Sequence, residues 1–176
     1  MGCNLITHFD GDLSGQAPIW LVLHDRYGDL DAARRLGARL GDDVLRVAVQ
    51  AARMQTEGGL GHVRGHFWYI GPVDMPELST FGDGLAELDA LLIQLRARYP
   101  HARFNLLGQG EGATLAMMLA LVYGDLVDKV IVINAHWPKN FDRMPITVAD
   151  PLNFMLVAEG DCTMEDCPLP FRAQGA

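Results

Sequence analysis

RFNLLGQGEGATLAMMLAL, residues 103–121, contains the signals of a strand, a glycine-rich turn and a helix in that order. Residues 104–107 form a short, mostly apolar run that breaks at Gly108, which is typical of a buried strand. From Ala113 onward, large apolar residues recur at spacings of three and four, which predicts a helix. The glycine-rich segment between them, residues 108–112, therefore joins a strand directly to a helix.

This arrangement is the scaffold of a nucleophile elbow, Gly-x-Ser-x-Gly. The outer glycines of the motif allow a tight turn and close packing of the helix on the strand. The central residue is held at the tip in a strained backbone conformation, where its side chain meets substrate. Here the central residue is Gly110, which has no side chain. The sequence therefore predicts the scaffold for a nucleophilic attack without the attacking group.

Length and composition indicate one globular chain of 176 residues, divided into a lead-in (residues 1–17) and a single domain (residues 18–176). The formal net charge of −8 disfavours nucleic acid and anionic membranes as partners, because both attract clustered Lys and Arg. No apolar run is long enough to span a bilayer, and no secretory leader is visible. An odd number of cysteines without a leader predicts reduced thiols in the cytoplasm. The cysteines are Cys3, Cys162 and Cys167.

Strand and helix signals alternate along the chain. Further strands are predicted at residues 4–8, 19–23, 44–49, 129–134 and 153–158. Further helices are predicted at residues 30–40 and 80–99, the second with Thr80 as its N-cap and Asp83 three residues on. Residues 50–76 show no period and are predicted to be a long loop, which in a compact domain is usually functional.

Uninterrupted apolar strands between helices predict an α/β fold, a doubly wound, mostly parallel sheet with helices on both faces. Ligands bind such folds beyond the carboxyl ends of the strands. The segments that leave those ends contain His24, Gly110, Ala135 and Gly160. We therefore expect the functional site to be built from these four places.

Five segments, in order, resemble the phospholipase/carboxylesterase branch of the α/β-hydrolase fold, which contains the acyl-protein thioesterases. They are WLVLHDRYGD (20–29), RGHFWY (64–69), LLGQGEGATLA (106–116), KVIVINAHWP (129–138) and EGDCTMEDCPLPF (159–171). In that order they match the first core strand with its oxyanion loop, an aromatic segment, the elbow, the strand after the elbow helix, and the strand end that carries the triad acid. The resemblance implies a truncated α/β-hydrolase-like domain.

The resemblance also implies where a catalytic triad would lie. Gly110 occupies the nucleophile position, and the acid is Asp166, the better match, or Asp161. The family's histidine follows the acid, but no histidine lies beyond His136, which is the remaining candidate base. The oxyanion loop contains His24 and, where the family has glycine, Asp25. A carboxylate pointing inward there would oppose a developing negative charge.

Other residues are candidates for ligand binding. Gln109 and Glu111 flank the elbow tip. The aromatic residues that could line an acyl pocket are Trp20, Trp68, Tyr69 and Trp137, although core packing explains Trp20 equally well.

Two other classes of site are disfavoured. His62 and His66 lie among glycines, which favours loop histidines over a helical metal site. The Gly-x-Gly-x-Gly pattern could suit a nucleotide phosphate, but Glu111 lies in the turn and no basic residue follows. We predict no metal and no cofactor.

The sequence predicts a catalytically deficient α/β-hydrolase-like protein. Its role is either that of an accessory or structural subunit, or that of a pseudoenzyme holding a small acyl or ester ligand. In the first case, a protein partner or a second copy would cover the apolar face exposed by the shortened C-terminus. The alternative is a carboxylesterase or thioesterase of small acyl esters, present in a nucleophile-lacking or shortened form. A third possibility is a ligand sensor that keeps the aromatic pocket.

Overall fold

The computed structural model describes residues 5–58, 61–150, 152–164 and 167, together with the backbone of residues 172–173. Its strands are β1 (Ile6–Gly11), β2 (Ile19–Leu23), β3 (Leu45–Gln50), β4 (Arg53–Glu57), β5 (His62–Phe67), β6 (Phe104–Gln109), β7 (Val127–Ile133), β8 (Met155–Glu159) and β9 (Arg172–Ala173). Its helices are α1 (Leu30–Gly37), α2 (Leu78–Arg98) and α3 (Glu111–Val122). Two short 3-10 turns follow, at Ala38–Leu40 after α1 and at Phe141–Arg143 after β7.

Seven of the described strands form one sheet in the order β1-β3-β2-β6-β7-β8-β9. Only β1 runs antiparallel to its neighbour, and all other pairs in this sheet are parallel. At the centre, all five residues of β2 are buried, because helices cover both faces of the sheet there. The predicted α/β class with a mostly parallel sheet is confirmed.

The helices divide between the two faces of the sheet. On one face, α1 packs Ala33 and Leu36 against Trp20, Val22 and Leu107. On the other face, α2 and α3 enclose the larger apolar cluster. Every residue from Glu111 to Leu121 of α3 is buried, because this helix lies between the sheet and α2. A helix that is apolar on all sides is the expected sequence for this place.

The long loop predicted for residues 50–76 is wrong, because β4 and β5 form a two-stranded antiparallel hairpin there. Most hairpin side chains are exposed, so its strands lack the apolar alternation by which strands are recognised. The end of β5 is attached to the main domain through backbone hydrogen bonds. Tyr27 N donates to His66 O at 2.7 Å, and His66 N donates to Gly28 O at 2.8 Å.

Helix α2 begins two residues before the predicted start, and Thr80 is not its N-cap. The cap is Glu77, whose carboxylate accepts hydrogen bonds from Ser79 N at 3.1 Å and Thr80 N at 2.9 Å. The bonds from Thr80 and Ser79 lower the pKa of Glu77 to about 2. Glutamate is not among the preferred N-cap residues, which is why the sequence pattern pointed to threonine instead.

The strand predicted at residues 4–8, of which residue 4 lies outside the described residues, is observed as β1 at Ile6–Gly11. It pairs with β3, so part of the lead-in belongs to the main sheet. Helix α3 begins at Glu111, two residues before the predicted start at Ala113. Within the described ranges, no helix is both long and apolar enough to cross a membrane.

Two adjacent residues of α2 differ in burial, which allows the packing of this helix against the core to be tested. Leu92 is 0% exposed, whereas Ile93 is 55% exposed. We expect Leu92→Ala to lower the free energy of unfolding by about 2–5 kcal/mol, because it leaves a cavity in a packed interior. Ile93→Ala should change it by about 0.5 kcal/mol or less. Urea unfolding of both variants measures the difference, and similar losses would contradict the placement of this helix.

Candidate functional site

The elbow tip lies where β6 passes into α3. Gly110 has φ 53° and ψ −115°, a conformation that residues with side chains rarely adopt. Its backbone is held by the neighbouring strand, since Gly110 N donates to Ile133 O at 2.9 Å. The strained backbone expected of an elbow is therefore present at the central position.

The glycines on either side of the tip are required by close backbone contacts. A Cβ atom on Gly108 would lie 2.6 Å from Ala113 N, in the first turns of α3. A Cβ atom on Gly112 would lie 2.5 Å from Leu23 O, at the end of β2. Both distances are too short for any side chain. These glycines let α3 begin directly against the ends of β6 and β2.

The side chain of Asp25 fills the space in front of Gly110. A Cβ atom on Gly110 would overlap Asp25 Oδ1 and would lie 2.5 Å from Asp25 Oδ2. Asp25 is half-buried and follows β2, next to the buried His24. The carboxylate thus points inward, to the place that the side chain of a nucleophile at position 110 would need.

Two backbone amides hold this carboxylate. Arg26 N donates to Asp25 Oδ1 at 2.6 Å, and Glu111 N donates to the same oxygen at 3.1 Å. In hydrolases with this elbow, the oxyanion hole consists of the amide that follows the nucleophile and an amide from another strand–helix loop. Glu111 and Arg26 have these two positions. The carboxylate of Asp25 therefore accepts from the two amides at the positions where such hydrolases form an oxyanion hole.

A partly buried ion pair between Arg26 and Glu111 fixes the loop that contains Asp25. Arg26 Nε donates to Glu111 Oε1 at 2.5 Å, and Trp68 N donates to Glu111 Oε2 at 2.9 Å. The guanidinium also reaches Gly71 O at 2.5 Å and Tyr69 O at 3.3 Å. Burial raises the pKa of Glu111, while the bonds from Trp68 and Arg26 act in the opposite direction. The pair connects the ends of β2 and β5 to the start of α3.

His24 and Trp68, both predicted to bind ligand, lie beneath the site and are almost fully buried. His24 Nδ1 donates to Asp25 O at 2.6 Å, and His24 Nε2 accepts from Ala51 N at 3.0 Å. This assigns the proton to Nδ1. Trp68 Nε1 donates to His24 O at 2.8 Å. Burial lowers the pKa of His24. Both side chains support the oxyanion loop from within the core.

His136 lies beside the elbow, in the segment that follows β7. Its carbonyl accepts from Thr114 Oγ1 at 3.3 Å, and the same hydroxyl lies 3.4 Å from Gly110 O. Among the described residues, no hydrogen bond joins the His136 imidazole to a carboxylate. The pKa of Asp74 is lowered mainly by the hydrogen bond with Lys139 and to a smaller extent by His136.

The remaining predicted residues are dispersed around the strand ends. Asp161 is exposed, and its backbone amide donates to Asn134 Oδ1 at 2.9 Å. Asp166 lies outside the described residues. Trp137 is 6% exposed and packs on Phe141, with ring centroids 4.6 Å apart. Gln109 is half-buried at the end of β6, whereas Glu111 is fully buried in the ion pair with Arg26.

The histidines and cysteines singled out in the sequence form neither a metal site nor a disulfide among the described residues. No group of three or more His, Cys, Asp or Glu side chains in the described part of the chain is arranged to hold a metal ion. His62 and His66 lie on strand β5, not in a loop as predicted. The Cys162 thiol accepts from Ala135 N at 3.3 Å and donates to Glu159 O at 3.1 Å. No disulfide joins it to Cys167.

Arg26 was not identified from the sequence, although it supplies an amide to the hole and a guanidinium to the ion pair. The available signal was Glu111, a charged residue inside a turn that must pack against strands. A buried carboxylate requires a partner. Only the fold shows that this partner lies 85 residues away in sequence.

Comparison of structures shows that this is the α/β-hydrolase, carboxylesterase-like fold. The Mesorhizobium loti carboxylesterase superposes with TM-score 0.66 at 16% identity, covering 88% of this chain and 70% of that chain. Esterase PE8 gives TM-score 0.66 at 19% identity, with coverages of 89% and 75%. The Bacillus cereus carboxylesterase gives TM-score 0.70 at 12% identity, with coverages of 98% and 85%. No family model and no curated protein matches the sequence.

Breaking the buried pair should destabilise the fold strongly. Glu111→Gln keeps the shape of the side chain but leaves the Arg26 charge without its partner. We expect the free energy of unfolding to fall by about 2–4 kcal/mol, somewhat below the loss for a fully buried pair because Arg26 is 27% exposed. The control is Asp31→Asn, which breaks the exposed pair with Arg34 and should cost about 0.5 kcal/mol or less. Equal losses would contradict this role of Glu111.

His24 should make the protein less stable in mild acid. Its pKa in the folded protein is below the ordinary value of 6.5, so the unfolded chain binds more protons as the pH falls. Its contribution is fully present above about pH 6.5 and declines below it, by at most about 1.4 kcal/mol per pH unit. Urea unfolding at about pH 7.5 and about pH 5.5 should show a smaller difference for His24→Asn than for the unmodified protein. An unchanged difference would exclude His24 as its source.

Proposed function

We propose that this protein is a catalytically deficient member of the α/β-hydrolase fold, in which the elbow no longer performs serine-esterase chemistry. One observation supports this proposal above all others. The carboxylate of Asp25 fills the space that a nucleophile side chain at position 110 would occupy. Residue 110 has no side chain, and the carboxylate of Asp25 fits into the space that is left in front of it.

The same carboxylate conflicts with acyl transfer in a second way. An ester carbonyl becomes an oxyanion during attack, and two amides in a preorganised hole stabilise it. Here Arg26 N and Glu111 N already donate to Asp25 Oδ1. A developing oxyanion would find its donors engaged and would meet a negative charge. The proposal therefore rests on both the missing nucleophile and the filled hole.

The role that we propose is non-catalytic, either as an accessory subunit or as a holder of a small acyl-type ligand. For the first role, the sheet face on the α1 side supplies an apolar surface. Ile131 and Ile133 are half-buried there, next to Leu107, and Met155 is 49% exposed. A protein partner or a second copy would cover this surface. The odd number of cysteines, from which we predicted reduced thiols, supports a cytoplasmic location for such a protein.

The second candidate function is hydrolysis of small acyl esters by a form of the protein that has a nucleophile. The backbone of the elbow favours it, because Gly110 keeps the strained conformation of a nucleophile position. The structural neighbours are named as carboxylesterases and an esterase, and their activity is the natural one for this scaffold. Under this candidate, the missing nucleophile would be the main difference between this chain and an active esterase.

Hydrolysis of a short-chain p-nitrophenyl ester separates the two candidates. We expect no turnover by the unmodified chain, which has no side chain at position 110, or by Gly110→Ser, because the Asp25 carboxylate accepts from the two amides of the hole. The double variant Asp25→Gly/Gly110→Ser removes this carboxylate, but a serine also needs a base. We therefore expect it to remain silent as well. Turnover by the unmodified chain would overturn the proposal, and turnover by the double variant alone would favour the second candidate.

Stability measurements on the same variants test the contact itself. Gly110→Ser should unfold at a lower temperature than Gly41→Ser, although both glycines have positive φ, 53° and 75°. The reason is that a Cβ atom at position 41 has no heavy atom within 4 Å, whereas one at position 110 meets Asp25. Adding Asp25→Gly should raise the unfolding temperature of Gly110→Ser but not that of Gly41→Ser. A loss in Gly110→Ser that Asp25→Gly does not reduce would show that the contact is unimportant.

A further inference from the structure

Strand β1 forms one edge of the main sheet, and only one of its two sides is paired. All six of its residues, Ile6–Gly11, are in register with β3 without a bulge. The strand contains neither proline nor lysine, residues that often keep an exposed edge from pairing with another chain. Among the residues that the structure describes, no further strand lies on its outer side. A regular edge of this kind can accept another strand.

The hydrogen bonds of β3 show which backbone groups of β1 face outward. Leu45 N donates to Pro18 O at 3.0 Å, on the side of β2 and away from β1. In an antiparallel pair, opposite residues direct their N–H and C=O groups either both toward each other or both away. Gly11, which lies opposite Leu45, therefore directs these groups to the open side. Because the direction alternates along a strand, Phe9 and Thr7 do the same.

We propose that β1 pairs with β1 of a second copy of this chain, antiparallel and about a two-fold axis at Phe9. The pairing joins the two seven-stranded sheets into one continuous sheet. Phe9 of each copy exchanges its backbone hydrogen bonds with Phe9 of the other, and Thr7 lies opposite Gly11. This interface is separate from the apolar surface on β7 and β8, and it does not depend on the proposed function.

The side chains of the strand select this register. A two-fold axis at Phe9 puts His8 of each copy opposite Asp10 of the other, where the imidazole can donate a hydrogen bond to the carboxylate. An axis at His8 would put two histidines opposite each other. An axis at Asp10 would put two carboxylates opposite each other, which is unfavourable. An axis at Thr7 would put His8 opposite Ile6 and would gain no polar pair.

The side chains that would meet in the dimer are accessible. The Asp10 side chain is 61% exposed and pairs with Arg46 through Oδ2, at 3.0 Å, so Oδ1 can accept from a second copy. His8 is half-buried, and its imidazole makes no hydrogen bond within the described residues. On the other face, the partly buried ring of Phe9 lies 5.5 Å from the guanidinium carbon of Arg98. Pairing would set two such rings side by side, and aromatic cross-strand pairs are stabilising.

The dimer should be weak, because a single pair of edge strands buries less area than a standard protein interface. We expect a dissociation constant on the order of 10 µM. Sedimentation velocity of the unmodified protein, from about 1 µM to about 1 mM, measures it.

The backbone amides report which edge is used. In nitrogen-15-labelled protein, exchange with deuterium at Thr7 and Phe9 should slow by about fivefold as the concentration rises, because these amides gain partners only in the dimer. The amides of His8 and Asp10 face β3 and should be protected equally throughout. In a mixture of labelled and unlabelled protein, a nuclear Overhauser contact between Hα of His8 in one copy and Hα of Asp10 in the other identifies the register.

Variants of the edge strand test the contact. Thr7→Pro removes an outward N–H and none that bonds to β3, so it should leave the protein folded and abolish the dimer. His8→Asp places carboxylates opposite each other at both symmetric pairs, and it should weaken the dimer at least about tenfold. The matched control, His62→Asp, makes the same change at an exposed residue of β5 and should leave the dissociation constant unchanged. Unfolding temperatures show which variants are folded, and His8→Asp tests the contact without a proline.

Several results would overturn the inference. A protein that stays monomeric over the whole concentration range has no such interface. A dimer that persists in His8→Asp, or in which the Thr7 and Phe9 amides exchange as fast as in the monomer, uses another surface. A contact between Hα atoms of His8 in the two copies would refute the register. Equal weakening by His62→Asp would show that the added charge, and not the strand edge, is responsible.

Discussion

The ion pair between Arg26 and Glu111 is the interaction on which the arrangement at the carboxyl ends of the strands depends. Glu111 is fully buried at the start of α3, and its second oxygen accepts from Trp68 N at 2.9 Å. A carboxylate in this position is tolerable only with a cation and a donor beside it. Arg26 is that cation, and its ion pair with Glu111 fixes the loop after β2. The position of this loop places the carboxylate of Asp25 beside the elbow.

The elbow has the backbone conformation of a nucleophile position but no side chain at its tip. Gly108 and Gly112 allow α3 to begin against β6 and β2, and Gly110 has the positive φ of a nucleophile position. These features allow a helix to pack closely on strand ends. They therefore stabilise the fold whether or not the protein catalyses a reaction. In the function that we propose, the two amides that would stabilise a transition state hold the carboxylate of Asp25 instead.

The sequence predicted most of the fold because the central strands and helix α3 are buried. Buried segments consist mostly of apolar residues, and such runs are recognisable in the sequence. β2 was located at its observed bounds, since all of its residues are buried. The hairpin of β4 and β5 was missed because its side chains are mostly exposed and carry no apolar pattern. The cap of α2 was misplaced because Glu77 performs a role that shorter side chains usually perform.

The sequence by itself determined the α/β class, the position of the elbow and the absence of a side chain at Gly110, because these depend on local pattern and on residue identity. It also pointed to Asp25 as an unusual residue in the oxyanion loop. Only the tertiary structure decided that this carboxylate turns inward, that His24 and Trp68 lie in the core, and that Arg26 pairs with Glu111. The physical reason is that side-chain direction and pairing at strand ends depend on contacts between segments far apart in sequence. Asp25 and Glu111 are separated by 86 residues, and no local pattern encodes their contact.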